Sequence, residues 1–132
     1  FAANDPVSTK MVYDMLCNML PQEQKFVIIN NRADRLTRTQ QLAEFAPTLH
    51  ADHYFLVGTA TDILFSLMLK AGMKKSEITE LGRKKPDILF EEIAKRTENG
   101  SVSVGIGNIG GIGHDILAFW ENKSKLNKSN QC

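Results

Sequence analysis

Three arginines, one aspartate and two threonines crowd into the ten residues Asn30-Asn31-Arg32-Ala33-Asp34-Arg35-Leu36-Thr37-Arg38-Thr39. A guanidinium is a planar fork of donors that matches carboxylate and phosphate oxygens. A helix opening within this stretch would add the positive end of its dipole. The segment therefore reads as an anion site. On these residues alone a plain solvated loop, with Asp34 pairing one of the arginines, stands equally open. A second polar segment, Asn4-Asp5-Pro6-Val7-Ser8-Thr9, precedes another helical pattern and can be read as simple capping. The third is glycine-rich: Gly105-x-Gly107-x-x-Gly110 follows an apolar strand pattern. That is the spacing of a dinucleotide fingerprint, but the fingerprint also needs a following strand with an acidic residue about 20 positions on. Here a polar tail follows instead, so a close backbone approach in a tight turn fits the glycines better.

Other chemistries find weaker support. No G-x-x-x-x-G-K-[ST] phosphate loop is present, so this chain by itself is expected not to hydrolyse ATP. His50-x-x-His53 has metal-like spacing, but no third ligand accompanies it, and the pair reads as junction histidines. Arg83-Lys84-Lys85 reads as a solvated face. Cys17 lies inside an apolar helical pattern and Cys132 is the last residue, which is no disulfide framework. No serine or cysteine elbow accompanies His114-Asp115. Asn99, Asn122 and Asn127 each open an N-x-[ST] triplet, which carries little meaning without a secretory signal.

The elements that would position these loops follow from periodicity. Met11, Met15 and Met19, with Val12, Leu16 and Leu20, recur at helical spacing until Pro21. Phe26 to Ile29 and Tyr54 to Val57 are short apolar strands of the kind buried on both faces of a parallel sheet. Thr37 or Thr39 can cap a helix carrying Leu42, Ala43, Phe45 and Ala46, ending near Pro47. Thr61 or Asp62 opens a helix that Gly72 stops. Ile78 to Leu81 reads as a short strand, Pro86 as the first position of a helix, and Ser101 to Ile106 as the last strand. His114 to Trp120 begins a final helix. Phe1-Ala2-Ala3 reads as the end of a strand whose start lies upstream.

Strands alternating with helices predict an α/β fold: a three-layer Rossmann-like sandwich, its mostly parallel sheet having about five to six strands, with helices on both faces. Ligands of such sheets sit at the loops after the strand C-termini. Here those are residues 4–8, 30–38, 58–62 and 107–113. The composition agrees with one globular domain. The chain has 132 residues, 42% of them apolar and 23% charged. Sixteen Lys and Arg against 15 Asp and Glu leave a net charge of +1, which gives no global field for nucleic acid. No apolar run approaches the roughly 18 residues of a membrane span.

Taken together, three blocks resemble one family. They are Phe1-Ala2-Ala3-Asn4-Asp5-x-x-Ser8-Thr9, Asn31-Arg32-Ala33-Asp34-Arg35-x-x-Arg38-Thr39-Gln40-Gln41 and Gly105-x-Gly107-Asn108-Ile109-x-Gly111. Their residues and separations look like the poly-γ-glutamate synthase ligase subunits, capsule biosynthesis proteins related to the Mur amide ligases. The resemblance runs from Phe1 to about Trp120 and covers only the family's C-terminal domain. It implies a Mur-ligase-like domain over residues 1–122, its first strand truncated, and a flexible polar tail over 123–132.

The resemblance also implies a chemistry. The parent enzyme would activate a glutamate γ-carboxylate with ATP, and a glutamate amine would attack the acyl phosphate. ATP and Mg2+ would be held mainly by an upstream domain, with no metal ligand in this chain. Asp34, Arg35 and Arg38 would be catalytic. Asn4, Asp5, Ser8 and Arg32 would face the nucleotide, and Asn108, with Gly107 and Gly111, the amino-acid substrate. Partners would be glutamate, the growing poly-γ-glutamate, the upstream ATP-binding domain and membrane subunits of the synthase complex. The parent would work at the cytoplasmic side of the membrane, and this fragment would be soluble. One departure stands out: where ligases that add diaminopimelate carry a D-N-P-R block, this chain has Gly58-Thr59-Ala60-Thr61-Asp62. Outside that family, a stand-alone module binding a small anion and a dinucleotide-dependent oxidoreductase remain as alternative readings.

Overall fold

A computed structural model of the chain describes residues 6–21, 24–96, 101–107, 113–116 and 118–119. Its elements are α1 (Pro6–Met19), β1 (Gln24–Asn31), α2 (Leu36–Phe45), β2 (His53–Gly58), α3 (Thr61–Lys70), β3 (Ile78–Gly82), α4 (Pro86–Arg96) and β4 (Ser101–Gly107). Short 3-10 turns at Ala46–Leu49 and Lys75–Glu77 lead into β2 and β3. The sheet has the order β3-β2-β1-β4, and every pairing is parallel. Four strands are therefore seen among the described residues, against the five to six expected. The expected strand end at Phe1-Ala2-Ala3 lies outside the described residues, as does the tail.

Alternation along β1 divides the core in two. Val27 and Ile29 point to one face, where they pack with Tyr13 of α1, Leu42 and Phe45 of α2, and Leu64 and Met68 of α3. Phe26 and Ile28 point to the other, against Leu89 and Ile93 of α4 and Ile116 of the last helical turn. The period-2 geometry of a strand requires this split. The result is a three-layer α/β sandwich with helices on both faces, as the sequence pattern predicts. The central strand is buried from Lys25 to Asn31, which accounts for its unbroken apolar middle.

Two local expectations change. Neither Thr37 nor Thr39 caps α2. Arg35 occupies the cap position without a side-chain bond, and Thr39 is buried one turn inside the helix. The methionines of α1 do not face the core either. Met11, Met15 and Met19 are 57–69% exposed, while Tyr13 is buried and Val12 and Leu16 are half-buried. Two apolar stripes lie side by side on this helix, and only the one centred on Tyr13 meets the sheet. No described helix is long and apolar enough to cross a membrane.

Candidate functional site: a cationic cleft at the strand C-terminal edge

Asn30 and Asn31 end the central strand and are each only 1% exposed. A buried amide must find partners, and Asn31 finds three. Its Nδ2 donates to the carbonyls of Thr59 at 3.0 Å and Ala60 at 3.3 Å, and its Oδ1 accepts from the Thr39 hydroxyl at 2.8 Å. The main chain repeats the link: the Thr59 N–H donates to the Asn31 carbonyl, and the Ala33 N–H donates to Thr59 Oγ1. One side chain thus ties the loop after β1, the loop after β2 and the first turn of α2 into one block. The loop after β2 also includes Ala60 in the left-handed region, at φ 53°.

The neighbouring strands close on the same spot through glycine. Gly58 has φ +99°, and a Cβ there would lie 2.2 Å from the Asn31 carbonyl oxygen. Gly107 has φ +92°, and a Cβ there would lie 2.6 Å from the Asn30 carbonyl oxygen. Both positions therefore need glycine on backbone grounds. For Gly107 this matches the close-approach reading of the glycine loop.

Over this floor opens a cleft of about 600 Å³. Arg32 and Thr59 border it on the β1–β2 side. Arg83, Lys84, Lys85 and Pro86 border it on the β3–α4 side, and among the described residues Asp115 contributes the one carboxylate of the lining. Helix α4 starts here, with Pro86 at its first position and the Lys85 carbonyl accepting from the Leu89 N–H at 3.0 Å. The lining carries four cationic side chains in a chain whose net charge is +1.

The three arginines of the strongest sequence block separate. Arg32 lines the cleft and pairs with Asp34 at 2.8 Å, the pairing expected of a solvated loop. Asp34 and Arg35 are exposed and line no described cavity. Arg38 borders a second hollow with Thr9, Gln41, Ile106 and Gly107. That hollow is only about 10 Å³, close to the limit for a single water. Ser8 is exposed on the first turn of α1. Asn4, Asp5, Asn108 and Gly111 lie outside the described residues.

Arg83, Lys84 and Lys85 are exposed, as the reading of a solvated face expects, but that reading does not place them at this cleft. The signal was available: they follow a strand C-terminus and precede a proline-started helix, which is the same edge rule that picked out the other loops. The two histidines take separate places. His50 ends the first 3-10 turn at φ 52°, and His53 on β2 shares a 2.6 Å hydrogen bond with Thr79 Oγ1. Burial and then the nearby Arg96 hold the His53 pKa below the usual histidine value. Among the described residues no three His, Cys, Asp or Glu side chains group closely enough to hold a metal.

Comparison with known proteins agrees with the sequence resemblance. Residues 1–123 match the family model of the poly-gamma-glutamate synthase CapB C-terminal domain. The chain is 31% identical over 119 residues to the PGA synthase CapB of Bacillus subtilis (strain 168), covering 89% of this chain and 30% of that protein. It is 28% identical over 123 residues to the capsule biosynthesis protein CapB of Bacillus anthracis, covering 89% of this chain and 25% of that protein. The chain thus spans less than a third of the length of these relatives. No solved structure matches it significantly.

Proposed function

The chain belongs to the CapB C-terminal domain family of poly-γ-glutamate synthases, and from that membership we propose that it is the substrate-orienting domain of an ATP-dependent amide ligase that polymerises glutamate through γ-linkages. In this reading the nucleotide cradle and its Mg2+ ligands belong to an upstream domain of the parent protein. The present domain closes over them with the strand C-terminal edge. ATP transfers its γ-phosphoryl group to the γ-carboxylate, giving an acyl phosphate and releasing ADP. A glutamate amine then attacks the carbonyl carbon, phosphate leaves with the electron pair of the broken C–O bond, and the amine gives up a proton to solvent.

The observation that carries the proposal is the block built on Asn31. An arginine-bearing loop is useful in catalysis only if its backbone is fixed before the charge develops. The bonds from Asn31 to Thr59, Ala60 and Thr39 fix both ends of that loop to the sheet. Arg32, Arg35 and Arg38 are then carried on a rigid base at the ligand edge. We assign Arg35 and Arg38, with Asp34 orienting the loop through its pair with Arg32, to the phosphate side of the reaction. Asn4, Asp5 and Ser8 would face the nucleotide and the Asn108 loop the amino acid. Holding amine and acyl phosphate together removes an entropic barrier of up to about 7–11 kcal/mol. Closure also excludes the water that would hydrolyse the intermediate.

The test is ATP-dependent incorporation of labelled glutamate by the full-length parent protein. Arg35→Ala is expected to lower turnover at least about tenfold, or about 1.4 kcal/mol in the transition state. Unchanged kinetics in a normally folded variant would leave the loop a structural role only.

A further inference from the structure

Arg83, Lys84 and Lys85 lie across the cleft from the arginine loop and take no part in the mechanism above. All three are exposed, and among the described residues none of them forms an ion pair. Arg32, the fourth cation of the lining, is already paired with Asp34. Among the described residues of the lining, the cations without an ion pair are therefore on the β3–α4 side, and Asp115 is the carboxylate that faces them. Three like charges in consecutive positions repel one another and are relieved by an anion that spans them.

We propose that this side of the cleft is a docking track for the α-carboxylates of the poly-γ-glutamate chain itself. The inference rests on the functional reading above, which makes a polycarboxylate the product. A γ-linked chain leaves one free α-carboxylate on every residue, so the polymer presents regularly spaced single negative charges. The cleft presents several separate cationic side chains on flexible stems beside an open space of about 600 Å³. A compact polyphosphate would instead favour a glycine-rich backbone cradle, and residues 82–86 supply only Gly82. Docking there keeps the polymer beside the reaction edge between additions, so each new bond is made without a fresh encounter. Contacts of exposed charges are weak singly and gain by repetition along the chain.

The experiment uses the 132-residue chain and a fluorescently labelled γ-linked oligoglutamate, followed by anisotropy, with free glutamate and ATP as competitors. The wild-type chain is expected to bind the oligomer, more weakly as salt rises from about 50 to 300 mM. The triple variant Arg83→Gln/Lys84→Gln/Lys85→Gln is expected to bind at least about tenfold more weakly, with unchanged melting temperature because the side chains are exposed. Lys74→Gln/Lys75→Gln, at the opposite end of β3, is expected to bind like wild type. Equal binding by the triple variant, or equal weakening by the Lys74 and Lys75 pair, would overturn the proposal. So would complete displacement of the oligomer by ATP at equal concentration, which would make the cleft a phosphate site. Should the triple variant fail to fold, Lys84→Gln alone is expected to show a smaller loss in the same direction, and no loss would count against the track. Glutamate incorporation by the parent is scored separately. Polymerisation without oligomer binding refutes the track alone, and oligomer binding without polymerisation refutes the ligase reading alone.

Discussion

Replacing Gly58 by alanine tests the claim that the ligand edge is built by close backbone approach. The new Cβ would stand 2.2 Å from the Asn31 carbonyl oxygen and 2.6 Å from Asn30 Oδ1. One of these neighbours is backbone in the central strand, so it cannot rotate away. Two costs add. A positive φ costs an L-residue about 1–2 kcal/mol, and overpacking a close-packed site costs about 1–3 kcal/mol. The expected destabilisation is about 2–5 kcal/mol, a large part of the roughly 5–15 kcal/mol that holds a domain folded. Gly72 is the internal control. It has nearly the same φ, +101°, but nothing lies within 4 Å of its added Cβ. Gly72→Ala should therefore lose only the conformational part, about 1–2 kcal/mol. Urea unfolding followed by circular dichroism measures both, and the difference between them isolates the clash. If Gly58→Ala is no less stable than Gly72→Ala, the close approach at the end of β1 is wrong, and with it the account of a rigid cleft floor.

Asn31→Ala removes three hydrogen bonds, but the Thr39 hydroxyl keeps the Arg35 carbonyl and the Ala60 carbonyl keeps the Leu64 N–H, so it is expected to cost about 1–3 kcal/mol in the same assay. Asn31→Asp should not recover the loss, because a carboxylate would face the Thr59 and Ala60 carbonyls. Recovery would mean that shape rather than hydrogen bonding matters there. The His53 pKa lies below its usual 6.5, so the unfolded state takes up a proton first as pH falls. Stability from the neutral imidazole is complete above pH 6.5 and is lost as pH drops toward the folded value. The melting temperature of wild type should therefore fall more between about pH 7.5 and 5.5 than that of His53→Gln, and parallel profiles would contradict the burial argument. Finally, the purified chain should turn over no ATP, because it carries no phosphate loop. Turnover above that of a mock purification would require a nucleotide site within these residues.

Much of the fold was legible because the strands are short apolar runs and the helices carry stops. Pro86 and Gly72 act where their chemistry demands, at a helix start and a helix end. Burial on one helix was not legible. Val7, Met11, Met15 and Met19 repeat every four residues, and so does the alternative stripe through Tyr13 and Cys17. Period alone does not say which stripe meets the sheet, and the aromatic one does. The cap of α2 was misread for a related reason. A threonine near a helix start resembles a cap, but Thr39 is drawn inward by Asn31, a residue eight positions away that the sequence pattern assigned to a loop.

The candidate site was legible by loop and illegible by convergence. Arg32, Arg35 and Arg38 share one segment, and reading them as one cluster follows from counting along the chain. In space a loop turning into a helix fans its side chains outward. Arg32 goes to the cleft, Arg38 to the hollow beside Gly107, and Arg35 lines neither. Arg32 instead shares its cleft with three cations more than fifty positions later in the chain, because β3 lies beside β2 and ends at the same edge. A run such as Arg83-Lys84-Lys85 looks like any solvated surface until the strand before it is placed. The strand here is five residues long, and on sequence it was the weakest of the strand patterns. Charge becomes a site only when the backbone brings separate segments to one edge. In this domain Asn31 ties the arginine loop to the loop after β2, and the pairing of β3 with β2 brings Arg83, Lys84 and Lys85 to the same edge.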